Sequence, residues 1–152
     1  MANLQYSVRI NAPREKVWNT MLGSETYKEW TLPFNPAGSR FEGTWEKGGE
    51  ILFLGVNEES GAEEVGMYAE IADSRPLELI SIRHLGEIAQ DGTKTPWADA
   101  SIESYENYTF SDAEGGTEVQ VDLIGLPDAW ADMMNDAWPK ALEKLKEISE
   151  RA

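Results

Sequence analysis

Two side chains in the middle of the chain could carry proton chemistry: the carboxyl group of Glu106 and the imidazole of His84. Glu106 shares the parity of Tyr108 and Phe110, so a β-strand here would turn its carboxyl group towards the apolar side of the sheet. His84 is the only histidine, and it shares the parity of Ile82 in another predicted strand. An inward acid and an inward base could assist a reaction or orient the polar end of a ligand.

The carboxyl group of Glu106 needs a partner if it is buried, because an unpaired buried carboxylate is unfavourable. Arg83 and His84 are the candidate partners in the chain, and a ligand is the third candidate. The competing interpretation places Glu106 near the edge of the sheet in water, and His84 as a satisfied or surface histidine. A lone base with no evident nucleophile or orienting group defines no catalytic residue, so the sequence favours a protein that is not an enzyme.

Metal, thiol and nucleotide chemistry are disfavoured by composition and spacing. The chain has no cysteine, and one histidine with scattered carboxylates provides no zinc-ligand spacing. The glycine pairs Gly48-Gly49 and Gly115-Gly116 are typical of hairpin turns and lack the spacing of a phosphate-binding loop. We therefore expect no metal site and no cofactor.

A set of aromatic and methionine side chains could line a cavity for a small hydrophobic molecule, with Tyr68, His84 or Glu106 orienting its polar end. Core packing is the competing interpretation for most of this set. Methionine adapts to variable shapes, which suits either a loose core or a variable ligand. The predicted ligand-binding residues are Trp30, Phe34, Phe41, Trp45, Phe53, Tyr68, His84, Trp97, Glu106, Tyr108, Met134 and Trp138, and Met133 belongs to the wider set.

The charge of the chain excludes some classes of partner. With 28 acidic and 13 basic residues in 152, the formal charge is −15, which disfavours binding to nucleic acid and to anionic membranes. No apolar run approaches the roughly 20 residues of a membrane span, and the N-terminus lacks the pattern of a secretory signal. We expect a cytoplasmic protein without membrane insertion, in which residues 1–152 form one domain.

The N-terminal third predicts one strand and two short helices. Residues 4–10 alternate strictly between apolar and polar, which is typical of a strand with one buried face. Asn11 as a cap and Pro13 in the first turn predict the start of a helix, and Gly23 predicts its end. A second short helix is predicted over residues 25–30.

The rest of the chain predicts strands followed by one long helix. Period-two patterns and short turns from Phe41 to Leu123 indicate an antiparallel meander, with a loop over residues 90–99. Apolar residues from Trp130 to Ile148 step by three or four, which predicts a helix that Pro139 kinks or breaks. The fold class is α+β, a helix-grip fold in which a curved antiparallel sheet of about seven strands wraps around the C-terminal helix.

The chain resembles the START-like, birch-pollen-allergen-like (SRPBCC) superfamily over essentially its whole length. Within that superfamily it is similar to the branch named for the C-terminal domain of activators of heat-shock chaperone ATPase. The segments that carry the resemblance are INAPREKVW (10–18), EWTLPFNPAGSRFEGTWEKGGEILF (29–53), RPLELISIRHLGEI (75–88), GGTEV (115–119) and WPKALEKLK (138–146).

The resemblance implies a deep apolar cavity between the sheet and the long helix, which relatives use to bind lipids, hormones, polyketides or other hydrophobic molecules. It transfers no catalytic residue, because the branch shares no catalytic motif. Two other functions stay open: a module that regulates a chaperone, and an enzyme of the aromatase or cyclase type. The expected partner is a small hydrophobic molecule, with a chaperone or a second copy of the chain as alternatives.

Overall fold

The computed structural model describes residues 2–34, 39–56, 64–89, 93–96, 104–126 and 128–151. The elements in chain order are β1 (Ala2–Ile10), α1 (Arg14–Leu22), α2 (Ser24–Trp30), β2 (Ser39–Gly43), β3 (Glu50–Val56), β4 (Glu64–Arg75), β5 (Leu79–Ile88), β6 (Lys94–Pro96), β7 (Ser104–Ala113), β8 (Gly116–Leu126), a single 3₁₀ turn (Asp128–Trp130) and α3 (Ala131–Glu150).

Seven strands form one antiparallel sheet in the order β1-β8-β7-β5-β4-β3-β2, and the short β6 pairs with β5. The sheet is curled around the long C-terminal helix, so the predicted α+β helix-grip fold is confirmed. Strand β6 lies inside the predicted loop 90–99, while residues 90–92 and 97–99 lie outside the described residues.

Helix α1 starts later than the sequence pattern predicts. Pro13, not Asn11, occupies the N-cap position, without a side-chain cap, and its carbonyl accepts the N–H of Val17 at 3.1 Å. Asn11 lies two residues before that position, and its backbone N–H donates to Glu150 Oε2 at 2.9 Å. The predicted Asn11 cap is therefore wrong, and this residue instead joins the start of α1 to the end of α3.

Helix α3 continues without a break through Pro139, so the predicted break does not occur. Proline removes one N–H, which leaves the carbonyl of Asn135 without its helical donor. Both residues lie on the exposed side of the helix, where water can satisfy that carbonyl. The opposite side is buried, as the three-and-four spacing predicts: Met134, Ala137, Trp138, Ala141, Leu142, Leu145, Ile148 and Ser149.

The core lies between the inner face of the sheet and the three helices. Helix α3 packs against β1, α1 and α2. Fully buried aliphatic side chains fill this space: Ile10, Val17, Met21, Ile51, Ile80, Ile82, Val119, Val121 and Leu145. Within the described part of the chain, no helix is long and apolar enough to cross a membrane.

Candidate functional site

A partly open cavity of about 300 Å³ lies between the N-terminal half of α3, helix α2 and the strands β3, β4, β5 and β7. This volume is at the lower end of the range for small-molecule sites, about 300–1,000 Å³. Its lining residues are Tyr27, Trp30, Thr31, Phe34, Ser39, Phe53, Leu54, Gly55, Gly66, Met67, His84, Glu106, Tyr108, Met133, Met134 and Trp138.

Trp138 is the aromatic side chain that α3 contributes to this cavity. Only 2% of Trp138 is exposed, and its ring centroid lies 5.0 Å from Phe34, 5.9 Å from Trp30 and 6.0 Å from Tyr108. Its indole N–H has no hydrogen-bond acceptor among the described residues, although a buried tryptophan usually has one. The four-residue spacing from Met134 places both side chains on the same face of the helix.

Helix α2 and strand β3 form a second aromatic wall. The buried ring of Tyr27 meets Trp30 edge-on at 5.4 Å and lies 6.3 Å from Phe53 in a stacked arrangement. Trp30 is anchored by its indole N–H, which donates to the carbonyl of Met21 in α1 at 3.0 Å. The rings on this side are therefore positioned by contacts within α2, between α1 and α2, and between α2 and β3.

The polar groups of the cavity meet where β5 and β7 pair. Glu106 is opposite Ile82 and His84 is opposite Ser104, so the acid and the base are diagonal neighbours on one face. His84 Nε2 lies 3.6 Å from Glu106 Oε1, and the Tyr108 hydroxyl donates a short hydrogen bond to Glu106 Oε2. The side chains of Glu106 and His84 are 15% and 8% exposed, which confirms the inward parity read from the sequence.

The two tyrosines beside Glu106 have strongly raised pKa values. Burial is the larger cause for Tyr27, and the negative charge of the Glu106 carboxylate raises its pKa further. For Tyr108, burial again raises the pKa most, followed by the charge of Glu106. Both phenols therefore stay neutral at physiological pH and can act as hydrogen-bonding groups.

Arg83, the other candidate partner, belongs to a different ion pair. Its Nη1 atom lies 3.3 Å from Glu70 Oε1, and both side chains are at least one-third exposed. Successive side chains of a strand point to opposite faces, so Arg83 faces away from the side that His84 occupies. The partners of Glu106 in the described chain are Tyr108 and His84.

The structure brings eight of the twelve predicted ligand-binding residues together around the cavity: Trp30, Phe34, Phe53, His84, Glu106, Tyr108, Met134 and Trp138. Trp97 lies outside the described residues. The other three, Phe41, Trp45 and Tyr68, do not line the cavity.

Those three residues belong to the predicted aromatic set, with Tyr68 as a candidate for orienting the polar end of a ligand, and each has another position in the structure. The Trp45 indole N–H donates to the carbonyl of Leu22 at 3.0 Å, and its ring packs against Phe41 at 5.0 Å, so the two rings back the cavity wall. Tyr68 follows Met67 in β4, and its buried ring lies 5.6 Å from Lys94 Nζ. Met67 lines the cavity instead, because adjacent strand residues face opposite ways.

Several lining residues were absent from the predicted set, and two of them had a signal in the sequence. Tyr27 lies three residues before Trp30, which places both on one face of a short helix. Met67 shares the parity of Ala69 and Ile71, whose side chains are buried. Thr31 and Ser39 had no such signal. Within the described ranges no group of three or more His, Asp or Glu residues is placed to hold a metal ion.

A curled antiparallel sheet that closes on a long C-terminal helix, with a largely apolar cavity between them, defines a START-like (SRPBCC) domain of the ligand-binding type. The family profile described as "Activator of Hsp90 ATPase homolog 1-like protein" matches residues 11–150. The chain therefore belongs to this family, and the resemblance read from the sequence is confirmed.

Solved structures of similar fold come from several bacteria. A protein from Nitrosomonas europaea superposes with a TM-score of 0.75 at 13% identity, covering 97% of this chain and 94% of that chain. The Aha1 dimer from Colwellia psychrerythraea gives 0.69 at 18% identity, covering 99% and 97%. A protein from Cytophaga hutchinsonii gives 0.70 at 22% identity, covering 99% and 94%. A search of curated protein sequences finds no match.

Proposed function

We propose that this protein binds a small hydrophobic molecule in the cavity beneath the N-terminal half of α3. The observation that carries the proposal is the cavity itself, whose walls are mainly aromatic rings and methionines. Removing about 200 Å² of apolar ligand surface from water would contribute about 5 kcal/mol at ~25 cal/mol per Å², before the entropic cost of association.

The methionines at the cavity suit ligands of more than one shape. Met67 on β4 and Met133 and Met134 on α3 line the same space, and Met133 is 50% exposed at its border. Methionine side chains are unbranched and change conformation at little cost. A wall of this kind supports binding of a hydrophobic class of molecule rather than one rigid shape.

A red-emitting solvatochromic dye tests the proposal. The wild-type protein should bind one dye per chain, and Met134→Trp, which adds an indole at the cavity, should weaken binding at least tenfold. Lys140→Trp adds the same group on the exposed side of α3, where the Lys140 side chain is 64% exposed, and should bind like the wild type. Equal binding by the two variants would place the dye elsewhere and contradict the proposal.

Native mass spectrometry of the protein purified from cells would identify the class of ligand. A ligand that remains bound should add a defined mass, and Met134→Trp should lose that mass while Lys140→Trp retains it.

We also propose that the protein acts in the cytoplasm and that its residues 1–152 form one domain.

Regulation of a chaperone is the second candidate function, and family membership favours it. The name of the family refers to the activation of the Hsp90 ATPase, and one structural neighbour is an Aha1 dimer. We therefore propose an Hsp90-type chaperone and a second copy of the chain as candidate protein partners. An assay of the chaperone's ATP hydrolysis tests the first partner, and absence of stimulation would exclude it. Sedimentation equilibrium tests the second partner, and a monomer at high protein concentration would exclude a dimer.

A further inference from the structure

The described lining of the cavity contains one carboxyl group, that of Glu106, and one imidazole, that of His84. Among its described lining residues there is no lysine and no arginine, whereas Glu106 contributes a carboxylate. On neighbouring strands, Arg40 pairs with Glu42 at 2.6 Å and Arg83 with Glu70 at 3.3 Å. Glu106 is therefore the acidic group that a ligand meets in the described lining, and His84 is the base beside it.

The Glu106 carboxylate keeps capacity to accept hydrogen bonds from a ligand. A carboxylate offers about four lone-pair sites. Oε2 accepts the Tyr108 hydroxyl, and Oε1 faces His84 Nε2 at 3.6 Å, beyond ordinary hydrogen-bond distance. The Tyr108 proton is already donated to Glu106, and the Thr31 hydroxyl already donates to the carbonyl of Tyr27 at 2.5 Å. A ligand group that donates hydrogen bonds would therefore fit the Glu106 carboxylate, while the indole N–H of Trp138 is a donor in the cavity without an acceptor among the described residues.

The rings around the carboxylate favour the same ligand. Tyr108 is adjacent to Trp138, and Trp138 in turn meets Trp30 and Phe34. Faces of aromatic rings attract a cation within about 6 Å of the ring centroid, and they repel an anion by the same quadrupole. The negative charge of Glu106 also contributes to the raised pKa of the buried Tyr27.

We propose that the ligand is a hydrophobic amine, whose apolar body fills the aromatic cavity and whose ammonium group donates to the Glu106 carboxylate. This inference rests on the proposed binding function and names its ligand class. It disfavours fatty acids and other hydrophobic carboxylates, because a second carboxylate beside Glu106 would place two like charges in a partly desolvated site.

Three compounds with one apolar body and different end groups test the inference: 2-(1-naphthyl)ethylamine, 2-(1-naphthyl)ethanol and 1-naphthylacetate. Isothermal titration at pH 8 is suitable, because a primary alkylamine is still protonated there. The amine should bind about tenfold or more tightly than the alcohol, and the carboxylate at least tenfold more weakly.

Glu106→Gln should abolish the preference, so that the amine and the alcohol bind within about threefold of each other. Glu70→Gln removes the same charge outside the cavity, where Glu70 pairs with Arg83, and should retain the tenfold preference. If Glu106→Gln does not fold, the order of the affinities of the three compounds for the wild-type protein decides whether the inference holds.

The inference is overturned if the carboxylate matches the alcohol, if the amine has less than a threefold advantage, or if Glu106→Gln keeps the wild-type ranking. It is also overturned if the solvatochromic dye binds and none of the three compounds does, and the binding function then still stands. If neither the dye nor any of the three compounds binds the folded protein, the binding function itself fails.

Discussion

The two halves of α3 meet the rest of the molecule in different ways. At the packed end, defined by Ala141, Leu142, Leu145 and Ile148, apolar side chains are buried in the hydrophobic core. At the open end, defined by Met133, Met134 and Trp138, the same helix borders a cavity of about 300 Å³. Leu145 is fully buried, whereas Met133 is half exposed.

This difference separates stability from binding along one helix. Side chains that interdigitate at the packed end contribute dispersion and burial, and they leave no room for a ligand. Rings and methionines at the open end border a cavity, so part of their surface is available to a bound molecule. Substitutions of Leu145 and Met133 should therefore have separable effects on unfolding and on ligand binding, whereas Trp138, which is buried and also lines the cavity, should affect both.

The largest effect is expected from Trp138→Ala, because Trp138 contacts rings from several other elements at the open end. Loss of a buried tryptophan side chain typically costs about 3–5 kcal/mol in the free energy of unfolding. Urea denaturation measures this loss, with Met133→Ala as a control on the exposed border. A loss below about 1 kcal/mol would mean that Trp138 is not packed between the helix and the sheet.

Leu145→Ala at the packed end should lower the free energy of unfolding by about 3 kcal/mol, since it leaves a void in a fully buried site. The dissociation constant of the solvatochromic dye should change by less than about twofold, because the variant protein stays folded and the residues at the open end keep their positions. Stability is followed by urea denaturation and binding by fluorescence. A large change in dye affinity in the folded variant would show that the two ends are coupled.

Met133→Ala should show the opposite behaviour at the open end. A half-exposed side chain contributes little to folding, so the free energy of unfolding should change by less than about 0.5 kcal/mol. The affinity for the dye should fall several-fold, because Met133 lines the cavity and the variant removes its contact with the dye. Unchanged affinity together with a marked loss of stability would reverse the proposed division.

The smallest effect is expected from Glu150→Gln, at the end of α3 next to the packed end. The hydrogen bond from the Lys146 side chain, and then that from the Asn11 backbone N–H, lower the pKa of Glu150 in the folded protein. A lowered folded-state pKa adds stability above the unfolded-state pKa, and this stability is lost as pH falls through the folded value.

The amide that replaces the Glu150 carboxyl group cannot ionise, so this variant should be slightly less stable than the wild type at pH 7. The difference should shrink from about pH 5 downwards, around and below the ordinary glutamate pKa. Urea denaturation at pH 7, 5 and 3 measures it, with Glu143→Gln on the exposed side of α3 as the matched control. A difference that grows as the pH falls would contradict the assigned partners of Glu150.

Local periodicity was sufficient to predict the elements that position the site. The alternation around His84 and Glu106 predicts their shared inward face, and the stripe through Trp138 and Leu145 predicts the buried side of α3. Of the predicted kink or break at Pro139, the break does not occur, because the Asn135 carbonyl that loses its donor lies on the exposed side of the helix, where water can satisfy it.

Residue size alone did not separate the rings that line the cavity from those that support its wall. Trp45 and Phe41 are as large as Trp30 and Phe53, yet the hydrogen bond from Trp45 to the carbonyl of Leu22 keeps its ring in the backing layer. That contact joins elements 23 residues apart, so no local pattern predicts it. The approach of His84 Nε2 to within 3.6 Å of Glu106 depends on the register of β5 with β7, which no local pattern predicts.

The most direct test of ligand binding at the open end is NMR of methionine methyl groups during titration with the solvatochromic dye. The chain has five methionines, of which Met67, Met133 and Met134 line the cavity and Met21 is fully buried in the core. Binding in the cavity should shift the methyl signals of the three lining methionines and leave that of Met21 unchanged. Saturable dye binding without a shift of Met67, Met133 or Met134 would contradict the account.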